Sequence, residues 1–167
     1  ICIPVVSAII ERRGGGKKGT EVLIQTRWKP RRDPQYSGTI EMPVGWMNRY
    51  EDVFSALRRE VFEETGLYIT KIRPANRTKQ YAPRNDGSFA FVPFCCIQQT
   101  KGGKPWVGFV FICEVENKQP TAQADEVRDV RWIKKSELRK MMQQNPKQFF
   151  TRQLGALDFY LSTRRRI

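Results

Sequence analysis

The sequence predicts an α/β protein in which a mixed β-sheet is packed between layers of helix. Apolar runs of strand length recur along the chain, and stretches with helical apolar spacing lie between and after them. At 167 residues, with 40% hydrophobic residues and four tryptophans, the chain is long enough to bury a substantial core. No internal repeat and no second domain are visible, so one domain over residues 1–167 is expected.

Seven strands are expected from apolar runs that are bounded by polar or glycine-containing segments. They span residues 3–10, 21–26, 40–42, 68–73, 89–98 and 106–116, with the last inside 125–133. A Gly/Lys loop separates the first two strands, and a glycine pair at 102–103 joins the fifth and sixth. Residues 76–88 are polar and are expected to form a loop. In the last strand, Val127, Val130 and Trp132 alternate only imperfectly.

The first helix is expected between the third and fourth strands. Val53, Leu57 and Val61 recur every four residues and form an apolar stripe. Acidic residues at 51–52 favour the positive end of the helix dipole, and Gly66 suits the left-handed residue that ends many helices.

Two more helices are expected near the end of the chain. Ser136 is a plausible N-cap for a helix that runs to about residue 143. Apolar residues at 150, 154, 157 and 161 have helical spacing, which predicts a last helix over 149–161.

Three carboxylates of the first helix, Glu60, Glu63 and Glu64, stand at positions i, i+3 and i+4 and therefore share one face. Like charges at this spacing destabilise a helix by about 0.2–0.5 kcal/mol per pair. A hard divalent cation such as Mg²⁺ is a natural partner, because it prefers carboxylate oxygens. At about 100° per residue, the three glutamates flank the apolar stripe, which predicts a position at the edge of a cleft. Taken alone, they also fit a solvated helix face.

The spacing around this helix resembles the Nudix box, G-x5-E-x7-R-E-U-x-E-E-x-G-U, in which U is an aliphatic residue. The nine fixed positions are met by Gly45, Glu51, Arg59, Glu60, Val61, Glu63, Glu64, Gly66 and Leu67. The resemblance implies an α/β/α sandwich with a mixed sheet, and hydrolysis of a nucleoside diphosphate linked to another group with Mg²⁺ or Mn²⁺. In one departure from many members, Val44 rather than glycine precedes Gly45.

The resemblance also implies roles for individual residues. The implied metal ligands are Glu60, Glu63, Glu64 and the backbone carbonyl of Gly45. Arg59 is expected to orient these carboxylates or to pair with Glu51. Family members place the catalytic base either in the box or in a later loop, so Glu63 and Glu126 are both candidates. The chain has no His, which excludes Ser-His-Asp and Cys-His catalysis.

The charge balance is strongly positive, with 30 Lys and Arg against 17 Asp and Glu and a net charge of +13. Such a balance attracts polyanions. Basic residues around the glycines at 14–16 and in the tail at 164–166 are expected to be a solvated loop and a frayed terminus. A third group precedes the box and could face substrate phosphates. From this segment and the residue after Gly45, the predicted substrate-binding residues are Arg27, Arg31, Arg32 and Trp46.

The nucleotide itself stays open at this point. ADP-ribose, a related nucleotide sugar and a (d)NTP all suit the resemblance, and Pro83, sixteen residues after Leu67, weakly echoes the ADP-ribose hydrolases. Trp28, Tyr81 and Trp106 are further aromatics that could either stack on a base or lie in the core. The alternatives are an RNA 5′-pyrophosphohydrolase and a non-catalytic domain that senses nucleotides and binds nucleic acid. A homodimer is also open.

The cysteines are expected to be reduced core thiols, which fits a cytoplasmic setting. Cys2, Cys95, Cys96 and Cys113 all lie in apolar runs, and no C-x-x-C pair or His is present to build a zinc site. No apolar run approaches the length of about 18 residues that a membrane span requires. The first segment, residues 1–10, is expected to be a buried strand rather than a leader.

Overall fold

The structure, a computed structural model, describes residues 1–14, 19–74, 78–122 and 125–163. Within these ranges the strands are β1 Ile3–Arg13, β2 Thr20–Arg27, β3 Ile40–Glu41, β4 Val44–Trp46, β5 Ile69–Arg73, β6 Lys79–Tyr81, β7 Ser88–Ala90, β8 Cys95–Gln98, β9 Trp106–Val115 and β10 Val127–Lys134. The helices are α1 Val53–Thr65, α2 Lys135–Gln144 and α3 Leu154–Ser162. Two short 3-10 turns, Pro146–Gln148 and Thr151–Gln153, precede α3.

The main sheet is mixed, as expected. Its strand order is β10-β2-β1-β9-β5, and β3, β4 and β8 pair with β2, β1 and β9 respectively. β1 and β9 run parallel, while the other pairings of this sheet are antiparallel. The pairing of β4 with β1 places Gly45 opposite Val6, so the start of the box is fixed at the centre of the sheet.

Helices cover both faces of the sheet and complete a three-layer α/β/α arrangement. Alternate residues of β1 face opposite layers because the side-chain period of a strand is two. Val6, Ala8 and Ile10 pack with the apolar stripe of α1. Ile9 packs with Leu138 and other residues of α2 and α3. Burying one such aliphatic side chain is worth roughly 1.5–3 kcal/mol, so packing against the sheet holds α1 in place.

Both ends of α1 are capped in the way the sequence predicts. The Asp52 carboxylate accepts hydrogen bonds from the backbone N–H groups of Phe54 at 2.9 Å and Ser55 at 3.1 Å. At the other end, Gly66 adopts a left-handed conformation with φ 68° and donates its N–H to the carbonyl of Phe62. The box helix therefore has fixed limits.

The expected ends of the last two helices, at about residues 143 and 161, lie within one residue of the observed ends, but the expected N-cap of the first and the expected start of the second were wrong. The N-cap position of α2 is Lys134, without a side-chain cap, and Ser136 lies inside the first turn. Residues 149–153 do not belong to α3. Phe149 bridges to Ile40, and the Phe150 N–H donates to the Ile40 carbonyl at 2.8 Å. Because these residues pair with the sheet, they do not join the helix that their apolar spacing predicts, and α3 begins at Leu154.

Two strand predictions also needed correction. The expected polar loop contains β6, which pairs with β7 in a separate two-stranded sheet. The expected strand 89–98 is split between β7 and β8, with Pro93 between them; proline cannot donate to a strand ladder. The imperfect alternation in β10 reflects a register shift between Arg128 and Arg131, where Asp129 has φ 53°.

The cysteines are all free, but only Cys113 is a core thiol. Cys95 is half-buried, and Cys2 and Cys96 are exposed, which corrects the expectation for three of the four. Among the described ranges, no helix combines the length and apolar character that crossing a bilayer demands. Lys17 and Lys18 of the first basic group, and the basic tail at 164–166, lie outside the described residues.

Candidate functional site

The three box glutamates Glu60, Glu63 and Glu64 line one cavity of about 830 Å³ together with Gly45, and we refer to it as the glutamate cavity. Predicted substrate-binding residues on the same cavity are Arg27, Arg32 and Trp46, and Glu126 joins them. Arg31 is exposed and does not line it. A second cavity of about 840 Å³ lies beside strand β5 and the start of helix α1. None of the three glutamates lines it.

Gly45 permits a close approach between β4 and α1. A Cβ atom at this position would lie 1.8 Å from the Glu60 carboxyl carbon and 1.9–2.2 Å from its oxygens. No side chain larger than hydrogen fits without displacing that carboxylate. The fixed glycine of the box is therefore explained by the Glu60 side chain that lies against it.

Arg59 connects the box loop to the carboxylates. Its Nε and Nη2 donate to the two oxygens of Glu51, each at 2.8 Å. Its Nη1 donates to Glu60 at 2.5 Å and to Glu63 at 3.2 Å, and Nη2 also reaches the Trp46 carbonyl at 2.9 Å. The expected pairing with Glu51 is confirmed, and this hydrogen bond lowers the pKa of Glu51.

Glu64 is buried, which corrects the prediction that all three glutamates lie at the cleft edge. It is only 3% exposed, and its Oε2 accepts hydrogen bonds from Gln25 Nε2 at 2.7 Å and from the Val44 N–H at 3.1 Å. Burial raises the pKa of Glu64 well above its ordinary value, and the nearby charge of Glu41 adds to the rise. Glu63, by contrast, has a half-exposed side chain.

Glu41, which was not among the predicted site residues, lies behind Glu64. Glu41 is 1% exposed, and Arg27 Nη1 donates to its Oε2 at 3.1 Å. Burial raises the pKa of Glu41 although the charge of Arg27 opposes the rise. The sequence feature that could have predicted Glu41 is the presence of an acidic residue within the short apolar strand 40–42. Arg27 also pairs with Asp33 at 2.7 Å, so its charge is largely committed within the protein.

Glu126 is held by the basic loop that precedes the box. It pairs with Lys29, and Arg32 Nη1 lies 2.5 Å from its Oε1. Partial burial favours a higher pKa for Glu126, but the hydrogen bond and charge of Lys29, together with Arg32, outweigh it, so its pKa is lowered. Glu126 is therefore ionised at neutral pH.

An aromatic and basic wall on the glutamate cavity was not predicted as a unit. Trp46 is 57% exposed, with Lys104 Nζ 5.4 Å from its ring centroid. The rest of this wall is formed by Tyr36, Trp106, Phe150 and Arg152. Of the other aromatics considered from the sequence, Trp28 lies under the Arg128 guanidinium at 3.8 Å, and Tyr81 lines the second cavity.

The donor set near Gly45 suits a hard divalent cation, because carboxylate oxygens are the ligands that Mg²⁺ prefers and Gly45, which has no side chain, lies directly against the Glu60 carboxylate. In the part of the chain that the structure describes, no three acidic or thiol side chains are grouped closely enough to hold an ion as they stand. Arg59 instead holds Glu60 and Glu63.

Comparison with known proteins gave one family. The sequence matches the family model described as NUDIX domain over residues 3–153. A comparison with curated proteins gave no match.

Many solved structures share the fold. The NUDIX domain of Shewanella oneidensis NrtR, complexed with ADP ribose, has a TM-score of 0.66 at 15% identity and covers 96% of this chain and 86% of that one. A NUDIX family hydrolase from Clostridium perfringens gives 0.62 at 16% identity, covering 96% and 97%. An Ap4A hydrolase binary complex from C. elegans gives 0.57 at 17% identity, covering 95% and 94%. At these identities, the likeness shows a common fold.

Proposed function

The chain belongs to the Nudix family, and we propose that it is a divalent-metal-dependent pyrophosphohydrolase. In this proposal it cleaves the diphosphate linkage of a nucleoside diphosphate derivative by attack of water on phosphorus. The observation that carries the proposal is the glutamate cavity itself. A single cavity joins all three box glutamates to cationic side chains and aromatic rings, which are the groups that a metal–diphosphate and a base require.

The proposed metal ligands are the carboxylates of Glu60, Glu63 and Glu64 with the carbonyl of Gly45, and Mg²⁺ or Mn²⁺ is the ion. When bound, such an ion neutralises phosphate charge and lowers the pKa of coordinated water. The position of Gly45 against the Glu60 carboxylate supports this assignment. Arg59 fixes the orientation of Glu60 and Glu63 through its anchor on Glu51.

Because the chain has no His, the base that accepts the proton of the attacking water is a carboxylate, a Lys or a Tyr, and a carboxylate is proposed here. Glu63 and Glu126 remain the two candidates, since both line the glutamate cavity. Lys29 and Arg32 hold Glu126 ionised, and the half-exposed side chain of Glu63 is open to water. Arg32 is proposed to bind substrate rather than to act in catalysis. Its side chain is 80% exposed and can reach substrate phosphates.

The substrate class is a nucleoside diphosphate linked to a further group, with ADP-ribose, another nucleotide sugar or a (d)NTP as candidates. Structural neighbours described as bound to ADP ribose and as an Ap4A hydrolase support a nucleotide. The exposed Trp46 ring in the same cavity offers a face for a base.

A second candidate function follows from the net charge of +13. Such a charge favours association with polyanions, so an RNA 5′-pyrophosphohydrolase, or a non-catalytic nucleotide-sensing and nucleic-acid-binding domain, is the alternative.

The test is a substrate panel with Mg²⁺ or Mn²⁺ and an EDTA control. We expect metal-dependent release of AMP from ADP-ribose or of pyrophosphate from a dNTP. Formation of 5′-monophosphate RNA as the best reaction would favour the RNA-directed alternative. If no panel member is cleaved with either metal although nucleotides bind, the enzyme assignment is wrong.

A further inference from the structure

Arg152 is a cation on the wall of the glutamate cavity that has no polar partner among the described residues. Its guanidinium makes no hydrogen bond and no ion pair there, and its Nε is fully buried without an acceptor. Aromatic rings hold it instead, with its central carbon 5.1, 5.7 and 5.5 Å from the ring centroids of Tyr36, Trp106 and Phe150. Nε is the fully buried nitrogen of this guanidinium, and the two terminal nitrogens are not fully buried.

The backbone on both sides of Arg152 is fixed to the sheet. The Phe150 N–H donates to the Ile40 carbonyl at 2.8 Å. On the other side, the fully buried Gln153 amide accepts from the Met42 N–H at 2.9 Å and donates to the Met42 carbonyl at 3.0 Å. The guanidinium is therefore presented from a rigid segment, which reduces the entropy lost when it binds a ligand.

The other unsatisfied buried group on this wall is also a donor. Trp106 is 4% exposed, and its Nε1–H has no acceptor among the described residues. Of the buried side-chain atoms without a partner, those belonging to residues of the glutamate cavity are Trp106 Nε1 and Arg152 Nε. The groups of this wall that lack a partner are therefore donors rather than acceptors.

We propose that Arg152 recognises a guanine base of the substrate through two parallel hydrogen bonds to O6 and N7. This inference rests on the proposed function, because it places the base of a nucleoside diphosphate derivative in the glutamate cavity. The planar fork of an arginine matches the two adjacent acceptors of guanine, whereas adenine presents one acceptor and one amino donor at the same edge. Among the candidate substrates of the proposed function, this contact favours a guanosine diphosphate sugar or dGTP over ADP-ribose.

The expected selectivity follows from the bidentate contact. One good bidentate pair is worth about 10-fold or more in discrimination against the wrong base. Facing adenine, the guanidinium would meet an amino group and leave one of its donors unpaired after losing water. Trp46, on the same cavity and 57% exposed, offers a face for stacking either base and therefore adds affinity without selecting between them.

The test measures binding without turnover, by titration calorimetry with the α,β-methylene diphosphates of guanosine, adenosine and inosine in the presence of Mg²⁺. The parent protein should bind the guanosine compound at least about 10-fold more tightly than the adenosine compound. The inosine compound, which shares O6 and N7, should bind within about threefold of guanosine by the same edge argument. Binding of inosine at the adenosine level, equal binding of all three, or no binding would overturn the proposal.

Arg152→Met keeps an apolar stem of similar length and removes the donors. It should reduce the guanosine preference to less than about threefold while leaving adenosine affinity nearly unchanged. Lys140→Met, an equal change of charge at an exposed position of α2, is the matched control and should keep the preference. Equal weakening of both nucleotides by Arg152→Met would overturn the proposal, because Arg152 would then hold phosphate or sugar.

Arg152→Lys keeps the charge but not the planar fork, so a partial loss of preference is expected if the methionine variant is too unstable to study. Hydrolysis of guanosine- and adenosine-diphosphate sugars is measured separately. Guanosine-selective binding without hydrolysis would refute the proposed enzyme and leave the base assignment standing. Hydrolysis with no base preference, or with adenosine preferred, would support the proposed enzyme and refute the assignment of Arg152 to a guanine base.

Discussion

Glu41 and Glu64 share one hydrogen-bond donor in the interior of the protein. Gln25 Nε2 donates to Glu41 Oε1 at 3.4 Å and to Glu64 Oε2 at 2.7 Å, and the two glutamates are only 1% and 3% exposed. Arg27 compensates Glu41 directly at 3.1 Å, whereas no cation is salt-bridged to Glu64 among the described residues. The charge of Glu41 therefore adds to the effect of burial in raising the pKa of Glu64.

We therefore expect Glu64→Gln to stabilise the metal-free protein. Glutamine keeps the shape and the acceptor for Gln25 but removes a buried charge, and each unit of pKa shift corresponds to about 1.4 kcal/mol. In urea unfolding at pH 7 with EDTA, the free energy of unfolding should rise by about 1 kcal/mol or more. In Mg²⁺, the variant should lose most of the stabilisation that the parent gains from the ion.

Glu63→Gln is the matched control, because its half-exposed side chain carries little burial cost. Its free energy of unfolding in EDTA should stay within about 0.5 kcal/mol of the parent. A Glu64→Gln protein that is less stable than the parent in EDTA would contradict the account of the buried pair.

The free energy of unfolding should depend on pH through the titration of Glu64. The folded state of the parent binds a proton at Glu64 that the unfolded state has already lost above its ordinary pKa of 4.5. The free energy of unfolding of the metal-free parent should therefore fall as the pH rises from 4.5 through the raised pKa of Glu64. Urea titrations across this range should show a shallower fall in Glu64→Gln, and equal slopes would argue against Glu64 as the source.

The sequence predicted the parts of this site that depend on local spacing. The box residues, the caps of α1 at Asp52 and Gly66, and the pairing of Arg59 with Glu51 lie within about one helix length of each other and follow from helical geometry. The mixed sheet followed from alternating apolar runs. Where the sequence placed Glu64 at a cleft edge, it could not show that β2 and β4 close over that carboxylate.

The parts that were missed depend on contacts between distant segments. Arg152 reaches the glutamate cavity only because Gln153 hydrogen bonds to Met42, 111 positions away. A second long-range contact, the bridge of Phe149 to Ile40 of β3, and the 3-10 turn Thr151–Gln153 replace the predicted helix over 149–153. Helical apolar spacing at 150, 154 and 157 carries no information about such long-range pairing.

Gly45→Ala should disable the site without unfolding the protein. A Cβ would meet the Glu60 carboxylate at 1.8–2.2 Å, so that side chain must move away from its position beside Arg59 and the loop. We expect kcat to fall by at least about 10-fold, because small displacements of catalytic groups are costly. Gly155→Ala is the control: Gly155 lies in the first turn of α3, nothing lies within 4 Å of an added Cβ, and activity and stability should stay close to those of the parent. Normal activity in Gly45→Ala would show that Glu60 is not part of the functional site.

The catalytic base can be identified by comparing Glu63→Gln with Glu126→Gln. If Glu63 is the base and not only a metal ligand, Glu63→Gln should lower kcat by about 10²-fold or more even when the metal is saturating. Glu126→Gln should then lower KM, because it releases Lys29 and Arg32 from their carboxylate and makes both available to phosphate. If Glu126→Gln instead lowers kcat by about 10²-fold and Glu63→Gln does not, Glu126 is the base. Steady-state kinetics at saturating metal separates the two results.

Arg31 and Arg32 form a matched pair for testing whether the basic loop serves the substrate. Arg32 lines the glutamate cavity and pairs with Glu126, whereas Arg31, its neighbour in sequence, is exposed and outside the cavity. Arg32→Ala should raise KM for the best substrate and leave kcat nearly unchanged, which is the signature of lost uniform binding. The effect should shrink at high salt, because exposed charges are screened beyond about 8 Å at physiological ionic strength. Arg31→Ala should change neither constant, and equal effects of the two substitutions would indicate a general positive field rather than a phosphate contact at Arg32.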